Sequence, residues 1–222
     1  ELVIHGMSDL HLQVMEHRLK RRFGVEVTTS LPRIAYKETI TKPTEAHHRH
    51  KKQSGGRGQF GECFLRLKPA PKDAGIVFVD AVVGGAIPRN LIPAVEKGVR
   101  ESAALGILTH SQVVDVEVSV YDGKYHDVDS DEASFKRAGA IAFREGFMKA
   151  GPVLMEPVMS VEIRVPTEHA GHIFSDLTSH RRGTVHNQES EHDGHVTVIQ
   201  AHAPLAAMLT YHRDLKSHTA GE

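Results

Sequence analysis

The sequence contains a single cysteine, no tryptophan and almost no net charge. One cysteine excludes an internal disulfide framework and the cysteine-rich zinc folds, and it is typical of a reducing compartment, so we expect a cytoplasmic protein. The 27 lysine and arginine residues are balanced by 28 acidic ones, which excludes a nucleic-acid binder that works through bulk positive charge. No apolar run approaches the roughly 20 residues of a transmembrane helix, and no signal-like segment opens the chain. We therefore expect no membrane contact.

The overrepresented residue is histidine, which occurs 17 times. Two pairs have an i, i+3 spacing that can suit zinc, His169/His172 and His192/His195. A closed zinc site also needs convergence of distant residues and supporting hydrogen bonds, and the sequence indicates neither. Solvated or hydrogen-bonded histidines are the simpler interpretation, so we expect no metal.

The first part of the chain spans residues 1–40. Residues 2–4 resemble a short strand, Ser8 or Asp9 can cap a helix that ends at Gly24, and residues 25–29 alternate as a strand. A strand–helix–strand unit of this size cannot bury its apolar face alone. We therefore expect it to be half of a small domain whose other half lies upstream.

The second part spans residues 41–154. Strand-like runs at 63–67, 76–83 and 113–120 alternate with two predicted helices. One follows Pro88, and the other starts near Asp131, with Ser130 as its cap, and continues to Lys149. Their predicted apolar stripes are Ile92, Val95, Val99 and Ala103, and Phe135, Ala138, Ala142 and Phe143.

The third part spans residues 155–222. Its pattern predicts a strand at 159–165, a helix at 170–179, strands at 184–188 and 195–202 joined by a turn, and a helix at 205–216. This strand–helix–strand–strand–helix order is that of a ferredoxin-like unit without its last strand.

Positive charge is concentrated between residues 41 and 60. That segment carries five cations against Glu45 alone, a local charge of +4, in addition to three histidines, His47, His48 and His50. The cations are Lys42, Arg49, Lys51, Lys52 and Arg57. Two interpretations remain open: a solvated flexible loop, or a loop whose glycines let the backbone approach a phosphate that the cations bind.

A Gly-x-Gly-x-x-Gly motif at Gly56, Gly58 and Gly61 has the spacing of a dinucleotide-binding loop. Such a loop must follow a strand and begin a helix, whereas here a charged segment precedes it and a strand-like run follows. The sequence has no P-loop and no nucleophile elbow that would support a histidine-dependent hydrolase. We therefore expect no cofactor and no catalytic site in this chain.

A second unusual loop spans residues 121–130. Asp122-Gly123 is a tight-turn signal, and His126 between acids suits a general base, a metal ligand or a nucleic-acid contact. The alternative is that Asp127 and Asp129 simply lie near a helix start, where negative charge is favourable.

A third basic stretch, residues 180–183, follows a predicted helix. Gly183 can adopt the left-handed cap conformation, and Arg181 and Arg182 suit the negative end of the helix. This structural role is sufficient for the two arginines, and a phosphate contact is an additional possibility.

Eight stretches together carry a family resemblance. They are residues 6–12, 36–40, 53–61, 84–88, 125–130, 154–159, 181–183 and 204–208. They resemble the C-terminal half of bacterial elongation factor G, a translational GTPase, over essentially the whole chain. The resemblance implies an α+β, multi-domain fold with three segments: residues 1–40 as part of a ferredoxin-like domain III, 41–154 as domain IV and 155–222 as a ferredoxin-like domain V. Domain IV would resemble domain 2 of ribosomal protein S5, with a left-handed βαβ crossover.

The resemblance also implies partners and contact residues. GTP and Mg would belong to an upstream G domain, and this chain would bind the ribosome as a monomer: rRNA, the tRNA–mRNA in the decoding region, and the stalk base. The tip of domain IV would be formed by the loops around Gly55–Gly58 and His126. The implied RNA or ribosome contacts are Lys51, Lys52, Gly55, Gly56, Arg57, Gly58, Gln59, His126, Asp127, Asp129, Arg181 and Arg182.

Some positions depart from the family pattern. Ala207 stands where the family usually has Glu, Thr210 lies near a usual Gly, and residues 106–111 lack the usual Gly/Pro pattern. These departures are typical of a divergent paralogue. Translocation, ribosome recycling and a regulatory RNA- or ribosome-binding role without GTPase activity therefore all remain open.

Overall fold

The computed structural model describes residues 2–53, 55–56, 58–219 and 221, except for the side chain of His192. It divides into two compact units. The larger comprises Ala35–Pro157, and the smaller combines the residues up to Ile34 with those from Val158 onward. No helix among the described residues is long and apolar enough to cross a bilayer.

The secondary structure mixes helices and strands throughout, which confirms the predicted α+β class. The elements in chain order are α1 (Asp9–Phe23), β1 (Lys37–Ile40), β2 (Thr44–Lys52), β3 (Gln59–Pro69), β4 (Ile76–Asp80), α2 (Ile92–Leu105), β5 (Val116–Lys124), α3 (Glu132–Lys149), β6 (Pro152–Met155), β7 (Val158–Pro166), α4 (Thr167–Ser175), β8 (Thr184–Glu191), β9 (Val196–Pro204), α5 (Leu205–Met208) and α6 (Tyr211–His218).

The core of the larger unit lies between a four-stranded sheet and two helices. The sheet order is β2-β3-β5-β4, with β4 and β5 parallel and joined through α2. The predicted stripes of α2 and α3 are all buried, and they pack against alternate residues of β3 and β5. The buried strand residues are Cys63, Leu65, Leu67, Val116, Val118 and Val120. The intervening residues of β2, β3 and β5 therefore point to the opposite, outer face of the sheet.

The larger unit is closed by pairing between β1 and β6, which are antiparallel from Lys37↔Met155 to Ile40↔Pro152. Within β1, the side chain of Glu38 is completely buried. Its carboxylate accepts backbone hydrogen bonds from Ile107, Leu108, Thr109 and Ser111 at 2.7–3.1 Å. Burial raises the pKa of the Glu38 carboxyl, but these donors outweigh that effect and hold the pKa below its usual value.

The smaller unit has a three-stranded antiparallel sheet with the order β7-β9-β8. This is the order of the first three strands of a ferredoxin-like fold. Its core includes Ile163, Ile173, Leu177, Ile199 and Tyr211. The predicted terminal helix is interrupted, because α5 ends at Met208 and α6 begins at Tyr211.

Helix α1 begins and ends as the sequence predicts. The Ser8 hydroxyl accepts a hydrogen bond from the backbone N–H of His11, and Gly24 adopts the left-handed conformation with φ 66°. The two strands predicted beside this helix are wrong: residues 2–4 and 25–29 are not in strands, and neither pairs with another strand in the described part of the chain. An extended segment becomes a strand only when a partner satisfies its backbone groups.

Four local predictions are also corrected. Residues 44–52 form strand β2 rather than a loop, and Asp122-Gly123 lies within β5 at a register shift rather than in a turn. The cap of α3 is Asp131, whose carboxylate accepts from the N–H of Ser134. The left-handed residue after the helical segment at 176–180 is Arg182, with φ 55°, rather than Gly183.

Candidate nucleic-acid interface

The basic segment forms the first strand of a long β-hairpin. Strands β2 and β3 pair from Thr44↔Leu67 to Lys52↔Gln59, so the described connecting residues, 53, 55, 56 and 58, lie at the end of the sheet. Lys51 and Lys52 are exposed beside this connection, and within the described residues neither has a carboxylate within 4.0 Å. The hairpin therefore presents two cations at its end that no described carboxylate neutralises.

The glycine-rich connection is held by a residue from the second unusual loop. The N–H of Gly58 donates to Oδ1 of Asp129 at 3.0 Å, and Gly58 is buried. Gly55 is exposed with φ 65°, and Gly56 is exposed with open space around it. Arg57, a predicted contact, lies outside the described residues. Gln59 begins β3, and its side-chain oxygen lies 3.0 Å from Nε2 of His50.

Further hydrogen bonds attach the second loop to the hairpin. The N–H of Phe60 donates to the carbonyl oxygen of Asp129 at 2.8 Å, and the hydroxyl of Ser130 donates to the carbonyl oxygen of Phe60 at 2.9 Å. The same hydroxyl accepts from the N–H of His126 at 2.8 Å. The described residues of the two loops (53, 55, 56, 58 and 125–130), together with the adjoining Lys51 and Lys52, therefore form one structural element, which we call the tip.

The ring of His126 is fixed on one side and open on the other. Its Nδ1 accepts from the backbone N–H groups of Val128 and Asp129, both at 3.3 Å, and the side chain is 57% exposed. The Asp129 carboxylate lies 3.7 Å from the same nitrogen, but an Nδ1 that accepts from two amides carries no proton to share with it. This assignment leaves Nε2 as the N–H donor.

The two acids of this loop have different positions. Asp127 is exposed beside His126. Asp129 is only 21% exposed, and its carboxylate accepts the hydrogen bond from the N–H of Gly58. Asp131, rather than either of them, caps α3. Asp129 therefore acts as a positioning residue that joins the two loops.

The histidines of the hairpin have partners of their own. Nε2 of His47 lies 2.7 Å from the buried Glu62, and Nδ1 of His48 lies 3.5 Å from Glu145. Both rings are therefore held by contacts within the larger unit.

Arg181 and Arg182 belong to the smaller unit rather than to the tip. The guanidinium of Arg181 donates to Asp176 at 2.7 Å, to Asp214 at 2.6 Å and to the carbonyl oxygen of Ala207 at 2.6 Å. It also lies 4.4 Å from the ring centre of Tyr211, and its side chain is 14% exposed. These contacts hold α5 and α6 against the segment after α4.

In the part of the chain that the structure describes, no three His, Cys, Asp or Glu side chains converge in a way that could hold a metal ion.

The sequence interpretation missed two features. One is the buried Glu38. The other is a set of aromatic rings on the outer face of the sheet. The sequence signalled it only through the even spacing of Phe60 and Phe64, which places both on the same face of a strand.

Comparison with known proteins agrees with the fold. The family model "Elongation factor G, domain IV" matches residues 32–165, and "Elongation factor G C-terminus" matches residues 153–222. Elongation factor G from Aquifex pyrophilus is 45% identical over 221 residues, which is all of this chain and 31% of the relative. A crystal structure from Thermus thermophilus matches with a TM-score of 0.81 and 39% identity, over 97% of this chain and 32% of that one. The chain thus spans about a third of the length of these proteins, and it belongs to the elongation factor G family.

Proposed function

We propose that this chain is the ribosome-binding C-terminal region of a translational GTPase that promotes tRNA–mRNA translocation. The GTP and Mg of the parent protein would be held by a G domain upstream of this region. Its partners would be rRNA, the tRNA–mRNA in the decoding region and the stalk base, and it would act in the cytoplasm as a monomer. Within it, we assign residues 1–40 to domain III, 41–154 to domain IV and 155–222 to domain V.

The observation that carries this proposal is the joined tip. Two loops more than 60 residues apart in sequence are tied by the bond between Gly58 and Asp129, and they present Lys51, Lys52 and the Nε2 of His126 on the same structural element. Exposed cations and N–H donors are the groups that contact phosphates and sugars. The tip would therefore act by placing fixed donors against RNA, without covalent chemistry.

The glycines support the same interpretation. Gly55 and Gly56 lie in open space at the end of the hairpin, so that RNA could approach their backbone closely. Arg57, between Gly56 and Gly58 in sequence, would add a further cation. Asp127 is an exposed acid beside His126, and it would repel phosphate from its own side. A phosphate would therefore approach His126 from the opposite side.

Ribosome binding by the chain with and without the tip lysines tests the proposal. We expect Lys51→Ala with Lys52→Ala to weaken binding to 70S ribosomes by roughly tenfold and to reduce the slope of log K against log salt by roughly 1.5, about 0.7–0.9 per lost phosphate contact. The matched control is Lys72→Ala with Lys97→Ala, which removes two exposed lysines of the same unit away from the tip. Equal affinities and equal slopes for the two double variants would contradict the proposal.

A second candidate function follows from the departures in sequence. Ala207 and Thr210 differ from the family pattern. They lie at the end of α5 and in the short non-helical step between α5 and α6. A paralogue that acts in ribosome recycling, or a regulatory ribosome- or RNA-binding module without GTPase activity, would retain the tip but use it differently. Ribosome binding without support of translocation in a reconstituted assay favours this alternative.

A further inference from the structure

The outer face of the four-stranded sheet carries three adjoining rings from three neighbouring strands. The ring of His47 on β2 stacks on Phe64 of β3, with centroids 4.2 Å apart and an interplanar angle of 25°. Phe64 in turn lies 6.1 Å from Tyr121 of β5, measured between ring centres. His47 is exposed, and the other two rings are half-buried. We call these three residues the aromatic platform.

Cations accompany the rings along this face. The guanidinium carbon of Arg66 lies 4.9 Å from the ring centre of Tyr121, and that of Arg49 lies 5.3 Å from the ring centre of Phe60. Phe60 lies 6.5 Å from the ring of His126, so the row continues to the tip. Residues 60–66 of β3 span about 20 Å, which sets the length of this row.

A buried carboxylate restrains one ring of the platform. Glu62, between Phe60 and Phe64 in sequence, is 5% exposed, and its Oε1 lies 2.7 Å from Nε2 of His47. Its other carboxylate oxygen has no hydrogen-bond partner among the described residues. One hydrogen bond and one stacking contact therefore restrain the His47 ring, which lowers the entropy lost when a ligand stacks on it.

The surrounding charge favours an anionic ligand. Arg49, Lys51 and Lys124 are exposed on or beside this face, and none of them has a carboxylate within 4.0 Å in the described part of the chain. The cations Arg66 and Lys68 are paired with Glu45 and Glu117, so they contribute less. A ligand that fits must offer both negative charge and flat, stackable groups.

We propose that the aromatic platform binds single-stranded RNA, as a continuation of the tip along the outer face of the sheet. Unpaired bases stack on aromatic side chains and on arginine planes, while lysines follow the phosphates. Duplex RNA keeps its bases stacked on each other, and an acidic peptide offers charge without stacking groups. The inference rests on the proposed RNA-binding function and adds to it a surface and a ligand class.

The absence of tryptophan provides a direct probe. Phe64→Trp would place the only indole of the chain in the platform. We expect a 12-nucleotide oligouridylate to quench its fluorescence in a saturable way, and a 12-base-pair RNA duplex to leave it unchanged. Quenching by the duplex alone, or by neither RNA, would overturn the proposal.

Two leucine variants test the energetics without a reporter. Phe64→Leu and Tyr121→Leu remove the rings but keep apolar volume, and each should weaken oligouridylate binding, measured by fluorescence anisotropy, about tenfold. The control is Phe174→Leu, which removes a 42% exposed ring of the smaller unit and should leave the affinity unchanged. Persistent protection of the Cys63 thiol on β3 shows that a variant retains its fold. Wild-type affinity in both platform variants, or displacement of the oligonucleotide by polyglutamate as effectively as by unlabelled RNA, would overturn the proposal.

The two proposals can fail separately. If the tip lysine variant loses ribosome binding while the platform variants retain oligouridylate affinity, the platform assignment is wrong and the proposed function stands. If the platform binds oligouridylate while the tip and control lysine variants bind ribosomes equally, the proposed function is wrong and the platform stands.

Discussion

The backbone N–H of Gly58 donates to the carboxylate of Asp129 over 3.0 Å, and the absence of a side chain at Gly58 leaves room for that carboxylate. A β-carbon at this position would lie 2.8 Å from Cγ of Asp129, closer than carbon atoms approach in proteins. This residue pair therefore provides one of the contacts that join the two loops of the tip, beside the hydrogen bonds of Phe60 with Asp129 and Ser130.

Gly58→Ala should weaken the contact between the two loops. The added methyl group displaces Asp129 and breaks a hydrogen bond to a charged acceptor, so we expect unfolding of the larger unit to become easier by about 2 kcal/mol in urea titrations followed by circular dichroism. Gly56→Ala is the matched control, because no atom lies within 4 Å of the point that its β-carbon would occupy and its φ is not positive, so its change should stay within about 0.5 kcal/mol. A similar effect of both substitutions would show that the Gly58–Asp129 contact does not stabilise the tip.

Glu38→Gln should destabilise the larger unit at neutral pH. The Glu38 carboxylate accepts hydrogen bonds from four backbone N–H groups, whereas the amide of Gln has only one oxygen to accept them. We therefore expect the free energy of unfolding to fall by about 3 kcal/mol. Glu101→Gln, which removes one partner of a surface ion pair with Lys136, should cost less than about 1 kcal/mol. Urea titrations at pH 7 compare the two variants.

Acid should remove the contribution of Glu38. Because its pKa in the folded state is lowered, its stabilisation is complete above the ordinary value of 4.5 and is lost as the pH falls through the lowered value. The difference in unfolding free energy between wild type and Glu38→Gln should therefore shrink below pH 4.5. A difference that stays constant down to pH 2 would contradict this origin of the stability.

Arg181→Met should destabilise the smaller unit. The substitution leaves Asp176, which is 9% exposed, without its guanidinium partner, and we expect a loss of about 3 kcal/mol and a lower melting temperature. Arg164→Met, which removes an exposed arginine paired with Glu162 and Glu191, should change stability by less than about 1 kcal/mol. If Arg181→Met instead kept the melting temperature and weakened RNA binding with a reduced salt slope, the arginine would be an RNA contact.

Cys63 should be unreactive in the folded protein. Burial, and to a lesser extent the charge of Glu62, raises the pKa of this thiol to about 12, and its side chain has no exposed surface. At pH 8 we expect negligible labelling by a thiol-reactive dye in native buffer and one fast-reacting thiol in guanidinium chloride. Fast labelling in native buffer would show that β3 opens readily.

The parts of the fold that could be predicted from sequence are those set by local periodicity. The stripes of α2 and α3 follow the 3.6-residue period because one face of each helix is buried, and Ser8 and Gly24 mark helix ends through their own backbone chemistry. Strand β2 was missed because it lies at the edge of its sheet and buries only Ala46, so its polar residues alternate without an apolar signal.

The site itself was only partly predictable. The cations and glycines of the tip are visible as a charge cluster and a motif, but the bond between Gly58 and Asp129 joins residues 71 positions apart. The contacts of Glu38 with residues 107–111, and the assembly of the platform from three strands, likewise depend on long-range packing. No spacing rule reports such contacts, since they arise only when the sheet forms.

The pairing of β1 with β6 also affects how this protein could change over evolution. Antiparallel partners lie about 5 Å apart, so the chain enters and leaves the larger unit at almost one point. A segment attached in this way can change in length or in its exposed residues while the chain on either side keeps its position. The exposed residues between Ile40 and Pro152 are therefore free to diverge in what they bind, provided that residues 107–111 keep the N–H groups that satisfy Glu38.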